Sequence, residues 1–460
     1  MNKIVTKLSL KEKVGYSLGD TASHFVWDMV GFWILIFYTD TFGISPAAAG
    51  TIMLIARFWD MVSDPIMGII ADRTKTKWGK FRPYILWMAL PYSVLAVLTF
   101  TTPNLGATGK VIWAGTTYFL LMTVFTAINL PYSSLGAVMT SDSYERAGLN
   151  SYRFIFAFVG QFIVSGTALS LALYFGKGDN AKGYQYTLIL FAIISFILFM
   201  ITFKTTKERV QPPKEQKESL KEDFKNLVKN KPWVILFFVG IISFIMFALQ
   251  NLSIAYYFKY YIGREENVQL FNVIGTVALI VAIPFSKPLA KKFGKRNVFL
   301  ASSLLSGFFF MLLYVPGPKN IISIYVINVL AKMCYAPAVP LLWTMLADTA
   351  DYSEWKTGRR STGLVFSAAT FAQKAGWGVG GALAGWLLAI FKFMPNVEQT
   401  VTAITGIKLM ISVIPGILYM SCAILLYFYA IDHETCEIMQ KELEARRSAE
   451  EKQPDTIYNG

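Results

Sequence analysis

Two stretches of the chain place ionisable side chains at helical spacing inside long apolar runs. Asp20, His24 and Asp28 recur at steps of four; Arg57, Asp60 and Asp64 recur at steps of three and four. On a helix each set falls on one face. A charge inside an apolar segment is costly and points to function. Two carboxylates one turn apart repel when both are ionised, so Asp60 and Asp64 suit coupling chemistry: together they would hold a sodium ion with neighbouring oxygens, or take up a proton. Arg57 would balance the pair while the site is empty. A static buried ion pair that fixes helix packing is the competing reading. The first set reads as a polar stripe facing a water-filled cavity, although at Asp20 a helix cap at the membrane surface fits equally, and His24 fits a bond to a neighbour.

Two further sets are less charged. Thr126, Asn129 and Ser133 lie at helical spacing with Tyr132 beside them; such groups suit sugar hydroxyls and equally glue membrane helices together. Ser367, Thr370 and Lys374 share another face, and a lone mid-span lysine is the sharpest signal in the second half of the chain. Its partner is either Asp60 or Asp64 across a central cavity, or a group within its own half. Lys332 is a weaker candidate. Gly376, Gly378, Gly380 and Gly381 would let neighbouring helices come close. Trp27, Trp33, Trp59, Trp343 and Trp377 are candidate stacking platforms for sugar rings, against the commoner role of tryptophan in cores and interfacial belts.

The elements that must carry these residues are membrane helices. Of 460 residues, 54% are hydrophobic and only 16% charged, well below the roughly one quarter usual in soluble chains. Stretches of about twenty mainly apolar residues occur at 21–39, 47–71, 83–101, 111–139, 152–175, 185–203, 233–257, 268–289, 297–316, 321–347, 362–391 and 405–431. Runs this long favour helices over barrel strands. With the N-terminus inside, the inside segments hold 31 Lys and Arg and the outside loops 8, which places both termini in the cytoplasm. The polar start from Met1 to Asp20 precedes a retained first helix rather than a cleaved signal.

Basic residues in short loops account for the net charge of +14, so no nucleic-acid partner is expected. Cys334, Cys422 and Cys436 have no metal or redox spacing, two histidines are too few for a metal site, and no phosphate-cradling glycine loop is present. No cofactor and no metal is expected beyond a coupling Na+ or H+.

The longest polar segment, 204–232, is central. It reads as a cytoplasmic linker between six-helix halves at 1–203 and 233–431, with a short amphipathic surface helix over Ser219 to Lys229 and a cytoplasmic tail at 432–460. The halves echo each other: the loop Asp72 to Arg82 and the loop Lys287 to Arg296 are both basic with a Gly-Lys turn. Paired six-helix halves are the layout of major-facilitator transporters, which bind substrate near mid-membrane between the halves.

Six ordered motifs strengthen that expectation. Tyr38-Thr39-Asp40, the run Arg57 to Pro65, the run Trp78 to Pro83, Asn129-Leu130-Pro131-Tyr132, Lys207-Glu208-Arg209 and the run Ala347 to Glu354 resemble the glycoside–pentoside–hexuronide:cation symporters from Leu8 to about Asp432. The resemblance implies an all-α major facilitator fold of twelve transmembrane helices in the inner membrane, and secondary active sugar uptake. It implies a cation site at Asp60, Asp64 and Thr126 with Lys374 near it, and sugar near His24, Asn129, Ser133, Arg153 and Lys374. Asp28, Arg57 and Thr370 complete the sugar-contact set. Melibiose permeases carry Asp at the position of His24, Asp at that of Asn129 and Trp at that of Ser133. A histidine-containing first helix resembles the xyloside-type branch, so a pentose-containing or β-linked glycoside is expected. Arg153 and Lys374 keep an anionic hexuronide open.

The expected cycle is alternating access: a cation neutralises Asp60 and Asp64, the helices order around the sugar, and the halves rock. Asp348, Asp351, Glu354, Arg359 and Arg360 are candidates for cytoplasmic salt bridges that gate the outward-facing state, against plain inside-positive topology. A membrane enzyme would need an extended soluble or metal-binding domain, and a sugar sensor a signalling domain. An uncoupled facilitator is the nearest rival. A monomer embedded in lipid and acting on a small glycoside is expected.

Overall fold

The computed structural model describes residues 8–140, 143–209, 227–358 and 362–451, and the named elements within them are helical apart from one isolated bridge, Thr76 to Gly79. The helices are α1 (Leu10–Ile36), α2 (Pro46–Arg73), α3 (Arg82–Thr99), α4 (Ala107–Met139), α5 (Ser143–Gly176), α6 (Asn180–Thr205), α7 (Lys231–Tyr256), α8 (Asn267–Ala282), α9 (Ser286–Phe293), α10 (Lys295–Leu312), α11 (Ile321–Tyr335), α12 (Ala338–Thr357), α13 (Thr362–Ile390), α14 (Val401–Ile411), α15 (Val413–Tyr427) and α16 (His433–Glu451). Eight helical runs among the described residues are long and apolar enough to cross a membrane. The other expected spans are helical as well, as α2, α3, α10 and most of α13.

α2 shows which solvent the chain is built for. Ile55, Phe58, Val62, Ile66 and Ile69 form an exposed apolar face, while Arg57, Asp60 and Ser63 on the opposite face are buried. In water the hydrophobic stripe of a helix faces the core. Here it faces outward and the polar residues face in, as in a helix bathed in lipid.

Several boundaries differ from the sequence expectation. α1 begins at Leu10, not near residue 21, because Ser9 and Glu12 form a capping box: Ser9 Oγ accepts from the Glu12 amide at 3.3 Å, and Glu12 Oε2 accepts from the Ser9 amide at 3.1 Å. The expected span 321–347 is broken between α11 and α12, where Pro337 and Pro340 remove backbone donors. The span 405–431 breaks at Ser412 (φ −121°, ψ −82°), three residues before Pro415, whose missing N–H leaves the Ile411 carbonyl without its helical partner. The tail is not simply polar coil but contains α16, started by Asp432, whose Oδ1 accepts from the Thr435 amide at 2.9 Å. That bond holds the Asp432 carboxyl below the usual carboxylate range. Of the expected surface helix in the linker, only residues 227–229 are described, and these are helical.

A second echo between the halves appears in the backbone. α1 passes into a π-helical turn, Phe37–Phe42, and α7 into another, Tyr257–Ile262. Each is closed by a left-handed glycine, Gly43 at φ 78° and Gly263 at φ 73°, a conformation that costs glycine nothing.

The chain packs as two compact units. One comprises Met1–Glu215, Ala248–Val273 and Trp377–Ile411; the other comprises Gln216–Phe247, Ile274–Gly376 and Ser412–Gly460. In the first, α1 lies against α5 and α6, and α4 against α2 and α3. The start of α2 meets the end of α13 within this unit at Gly50 and Gly385: a Cβ at Gly385 would lie 2.3 Å from the Pro46 carbonyl oxygen, so only glycine permits this approach. In the second, α10 packs on α11 and α15.

Candidate functional site

The acid pair is built by two helices of the first unit. α2 presents Asp60, which is fully buried, and Asp64 one turn later; α4 presents Thr126 opposite them. Thr126 Oγ1 lies 2.5 Å from Asp60 Oδ1 and 3.4 Å from Asp64 Oδ1. A hydroxyl has one proton, and the shorter contact takes it. Ser63 Oγ donates to the Asp60 carbonyl at 3.1 Å and stands 3.5 Å from Thr126 Oγ1. Carboxylate and hydroxyl oxygens thus converge, the ligand set that hard cations prefer. Among the described residues no group of three or more His, Cys, Asp or Glu could hold a metal ion. Two carboxylates with one hydroxyl suit a monovalent ion or a proton instead. Arg57 Nη1 lies 3.4 Å from Asp60 Oδ2, and its guanidinium stacks 4.3 Å from the Trp27 ring centroid.

The other polar residues of the first unit form pairs. His24 Nδ1 and Asp28 Oδ2 are 2.9 Å apart along α1. Asp20 is not a helix cap: it lies three turns into α1 and takes a two-point bond from Arg153 of α5, from Nε to Oδ2 at 2.7 Å and from Nη2 to Oδ1 at 3.1 Å. The Tyr132 hydroxyl lies 2.8 Å from Asp20 Oδ2. Asn129 is half-buried and Ser133 exposed on α4, and neither side chain has a hydrogen-bond partner among the described residues. Of the candidate platforms in this unit, Trp33 is a core residue at 1% exposure, Trp59 Nε1 donates to Thr123 Oγ1 at 2.8 Å, and the Trp27 ring is stacked on Phe125.

In the second unit, Thr370 is exposed on α13 with Lys374 half-buried one turn on. Lys295, in the second Gly-Lys loop, donates to both oxygens of Asp348 at 2.8 and 2.7 Å. Asp351 and Glu354 follow half-buried on α12, while Arg359 and Arg360 lie outside the described residues.

Two clusters were not foreseen as contacts. Glu208 accepts from three consecutive amides, those of Lys80, Phe81 and Arg82, at 2.9, 2.8 and 3.0 Å. Asp40 accepts from Lys259 Nζ and from the Tyr260 hydroxyl, while Asn396 Nδ2 donates to its carbonyl at 2.6 Å. Both acids stand in motifs that carried the family resemblance, but no spacing rule joins them to partners more than a hundred residues away.

Comparison with known proteins places the chain among transporters. The family described as MFS/sugar transport protein matches residues 15–433. The chain is 36% identical, over 97% of both chains, to Escherichia coli (strain K12) YagG, whose name carries a provisional assignment as a glycoside/cation symporter. It is 36% identical to the isoprimeverose transporter of Lactiplantibacillus pentosus, over 92% of this chain and 88% of that one. Among solved structures, the nucleoside transporter NupG shares the fold, with a TM-score of 0.59 at 15% identity over 91% of this chain and 99% of that one.

Proposed function

We propose, from the premise that the chain belongs to the MFS/sugar transport protein family and within it to the glycoside–pentoside–hexuronide:cation symporters, that Asp60, Asp64 and Thr126 hold the cation whose entry drives its sugar uptake. The protein is a multi-pass cell-membrane transporter and not an enzyme; it moves a small glycoside together with a cation. The observation that carries the site assignment is the convergence of Asp60 Oδ1, Asp64 Oδ1 and Thr126 Oγ1, both carboxylate oxygens lying within 3.4 Å of the hydroxyl. Na+ or H+ would neutralise the acids, and the occupied site would favour the state that binds sugar. Coupling needs only that each ligand favour the doubly loaded state that can rock.

The finer reading is twelve spans in two six-helix halves, 1–203 and 233–431, joined by the linker 204–232 with both termini cytoplasmic, functioning as a monomer. His24, Asp28, Arg57, Asn129, Ser133, Arg153 and Thr370 are the sugar contacts, and Lys374 belongs with the cation-coupling residues. Asn129 and Ser133 support this, since their polar groups have no partner among the described residues to give up. A pentose-containing or β-linked glycoside is the favoured cargo, in keeping with the relative named as an isoprimeverose transporter. Lys295 and Asp348, with Asp351, Glu354, Arg359 and Arg360, act as the cytoplasmic gate.

Membrane vesicles carrying Asp64→Asn test the coupling role. Uphill accumulation of a labelled xyloside under an imposed Na+ or proton gradient should disappear while downhill exchange persists. Undiminished uphill accumulation would overturn it. A screen of labelled glycosides with Na+ and pH varied separately identifies the ion and the sugar.

A further inference from the structure

We infer that Trp27 is a positioning residue for the coupling cation: its ring holds the Arg57 guanidinium off the acid pair and so keeps the cation site open to an incoming ion. This rests on the assignment of Asp60, Asp64 and Thr126 above and adds what sets the affinity of that site.

Arg57 and Asp60 stand three residues apart on α2, both buried, at 4% and 0% exposure. A buried guanidinium beside a carboxylate ordinarily closes on it at about 2.7–2.9 Å, often through two parallel bonds. Here Nη1 lies 3.4 Å from Asp60 Oδ2, while Cζ lies 4.3 Å from the centroid of the Trp27 ring. The guanidinium is thus shared between a carboxylate of its own helix and an aromatic face of α1. Such a face attracts a cation, most strongly when the ring is tryptophan and water is excluded.

The ring is fixed where it stands. Trp27 is stacked on Phe125 of α4, with centroids 4.5 Å apart and planes 20° from parallel, and Trp377 of α13 meets it edge-on at 6.2 Å. Phe125 is the residue before Thr126, so the helix that supplies the hydroxyl of the cation cluster also supports the ring. The stem of Arg57 is confined as well. A Cβ at Gly378 of α13 would lie 2.7 Å from the Arg57 Cβ, so the α13 backbone closes one side of it. The choice between ring and acid is left to the guanidinium end.

A cation that enters at Asp60 and Asp64 competes with this guanidinium, a positive charge already tethered beside them. Each contact that favours the guanidinium on the ring weakens that competitor. Without the ring, Arg57 would close on Asp60 and fill the site from within. A cation–π contact away from water biases the two positions about five- to thirtyfold.

The test reads cation affinity without sugar and without transport. In membranes, the peptide holding Asp60 and Asp64 is labelled with dicyclohexylcarbodiimide, which reacts with protonated carboxyls, and the yield is measured by mass spectrometry. The half-effect concentration is taken for Na+ as a protectant at fixed pH and for H+ in Na+-free medium. Trp27→Leu should raise it about five- to thirtyfold, because a closer guanidinium favours the ionised acids against either ion. Trp27→Phe keeps a ring and should raise it by no more than about threefold. In Arg57→Gln, which removes the competitor, adding Trp27→Leu should change it by less than about twofold. Damage to the fold would lower the amount of protein in the membrane and leave the half-effect concentration where it was. If Trp27→Leu does not reach the membrane, Trp27→Met is read the same way; if Arg57→Gln does not, the comparison of leucine with phenylalanine decides alone. The inference is overturned if Trp27→Leu shifts the value no further than Trp27→Phe, if it lowers the value, or if the full shift persists in Arg57→Gln. Failure of the cation-site reading looks different: Asp64→Asn would go on accumulating sugar against a gradient, whatever the labelling midpoint.

Discussion

Asp40 Oδ2 lies 2.6 Å from Lys259 Nζ, so the π-helical turn that follows α1 is tied to the one that follows α7. Counted from the closing glycines, Asp40 corresponds to Tyr260 and Lys259 to Thr39, so the bond joins the two echoed segments one position out of register. Lys259 also donates to Asn396 Oδ1 at 3.0 Å, and Thr39 Oγ1 lies 2.7 Å from the Tyr256 hydroxyl, so the tie is a network and not an isolated surface pair. The Asp40 side chain is 3% exposed. In the proposed topology these turns stand at the outer face, where such a network would hold the outer path shut.

Asp40→Asn should therefore shift the protein toward the outward-open state. Losing about 1–2 kcal/mol of this network would raise the open population roughly 5- to 30-fold. With Asn129→Cys introduced in a background lacking native cysteines, a membrane-impermeant thiol reagent added outside should label faster by about that factor. Equal labelling rates would show that the network does not govern opening.

Thr126 is the neutral member of the proposed trio with Asp60 and Asp64, so it separates oxygen ligation from charge. Thr126→Val keeps the volume and removes the hydroxyl. A hydrogen bond to a charged group contributes about 1.5–3 kcal/mol, so apparent cation affinity for uptake should fall about ten- to a hundredfold. Thr126→Ser should restore most of it. Cation activation curves at saturating sugar make the comparison, and a Thr126→Val curve that overlays the wild type would remove Thr126 from the site.

Periodicity made half of this legible and geometry the rest. Steps of three and four placed Arg57, Asp60 and Asp64 on one face, and α2 does bury Arg57 and Asp60 together while showing Ile55, Phe58 and Val62 to the outside. The same rule grouped Asp20 with His24 and Asp28, but a helical repeat says which residues share a face, not what meets it. Arg153 is 133 positions from Asp20, and only the packing of α5 on α1 brings them together. Local breaks were hidden for another reason. Ser412 and Pro337 sit inside runs apolar enough to pass as single spans, and hydropathy does not register a missing backbone donor.

Glu208 should act as the peg of the loop between α2 and α3, which the proposed topology puts on the cytoplasmic side. Its two oxygens accept from three successive amides, and Arg209 beside it pairs with Glu12 of α1 while its amide donates to the Val138 carbonyl at 2.9 Å. Glu208→Ala would strand those amides, at about 1–3 kcal/mol for groups left unsatisfied. Local opening of the loop should rise accordingly, and limited trypsin digestion of inside-out vesicles should cut at Lys77 and Lys80 about tenfold faster. Unchanged cutting would mean that the loop is held by other contacts.

Lys295 and Asp348 offer the cleanest test of the proposed cytoplasmic gate, because both oxygens of the acid bond one ammonium and the acid is mostly buried. Removing either partner leaves the other charge uncompensated, which is costlier than losing the pair. Lys295→Met and Asp348→Leu alone should each lower uptake at least tenfold. The double substitution, which leaves no stranded charge, should recover much of it, and the exchange of Lys295→Asp with Asp348→Lys should recover more if the bond itself steadies the gate. If the double variants stay as inactive as the single ones while reaching the membrane normally, then one of the two residues has a separate role that their contact does not explain.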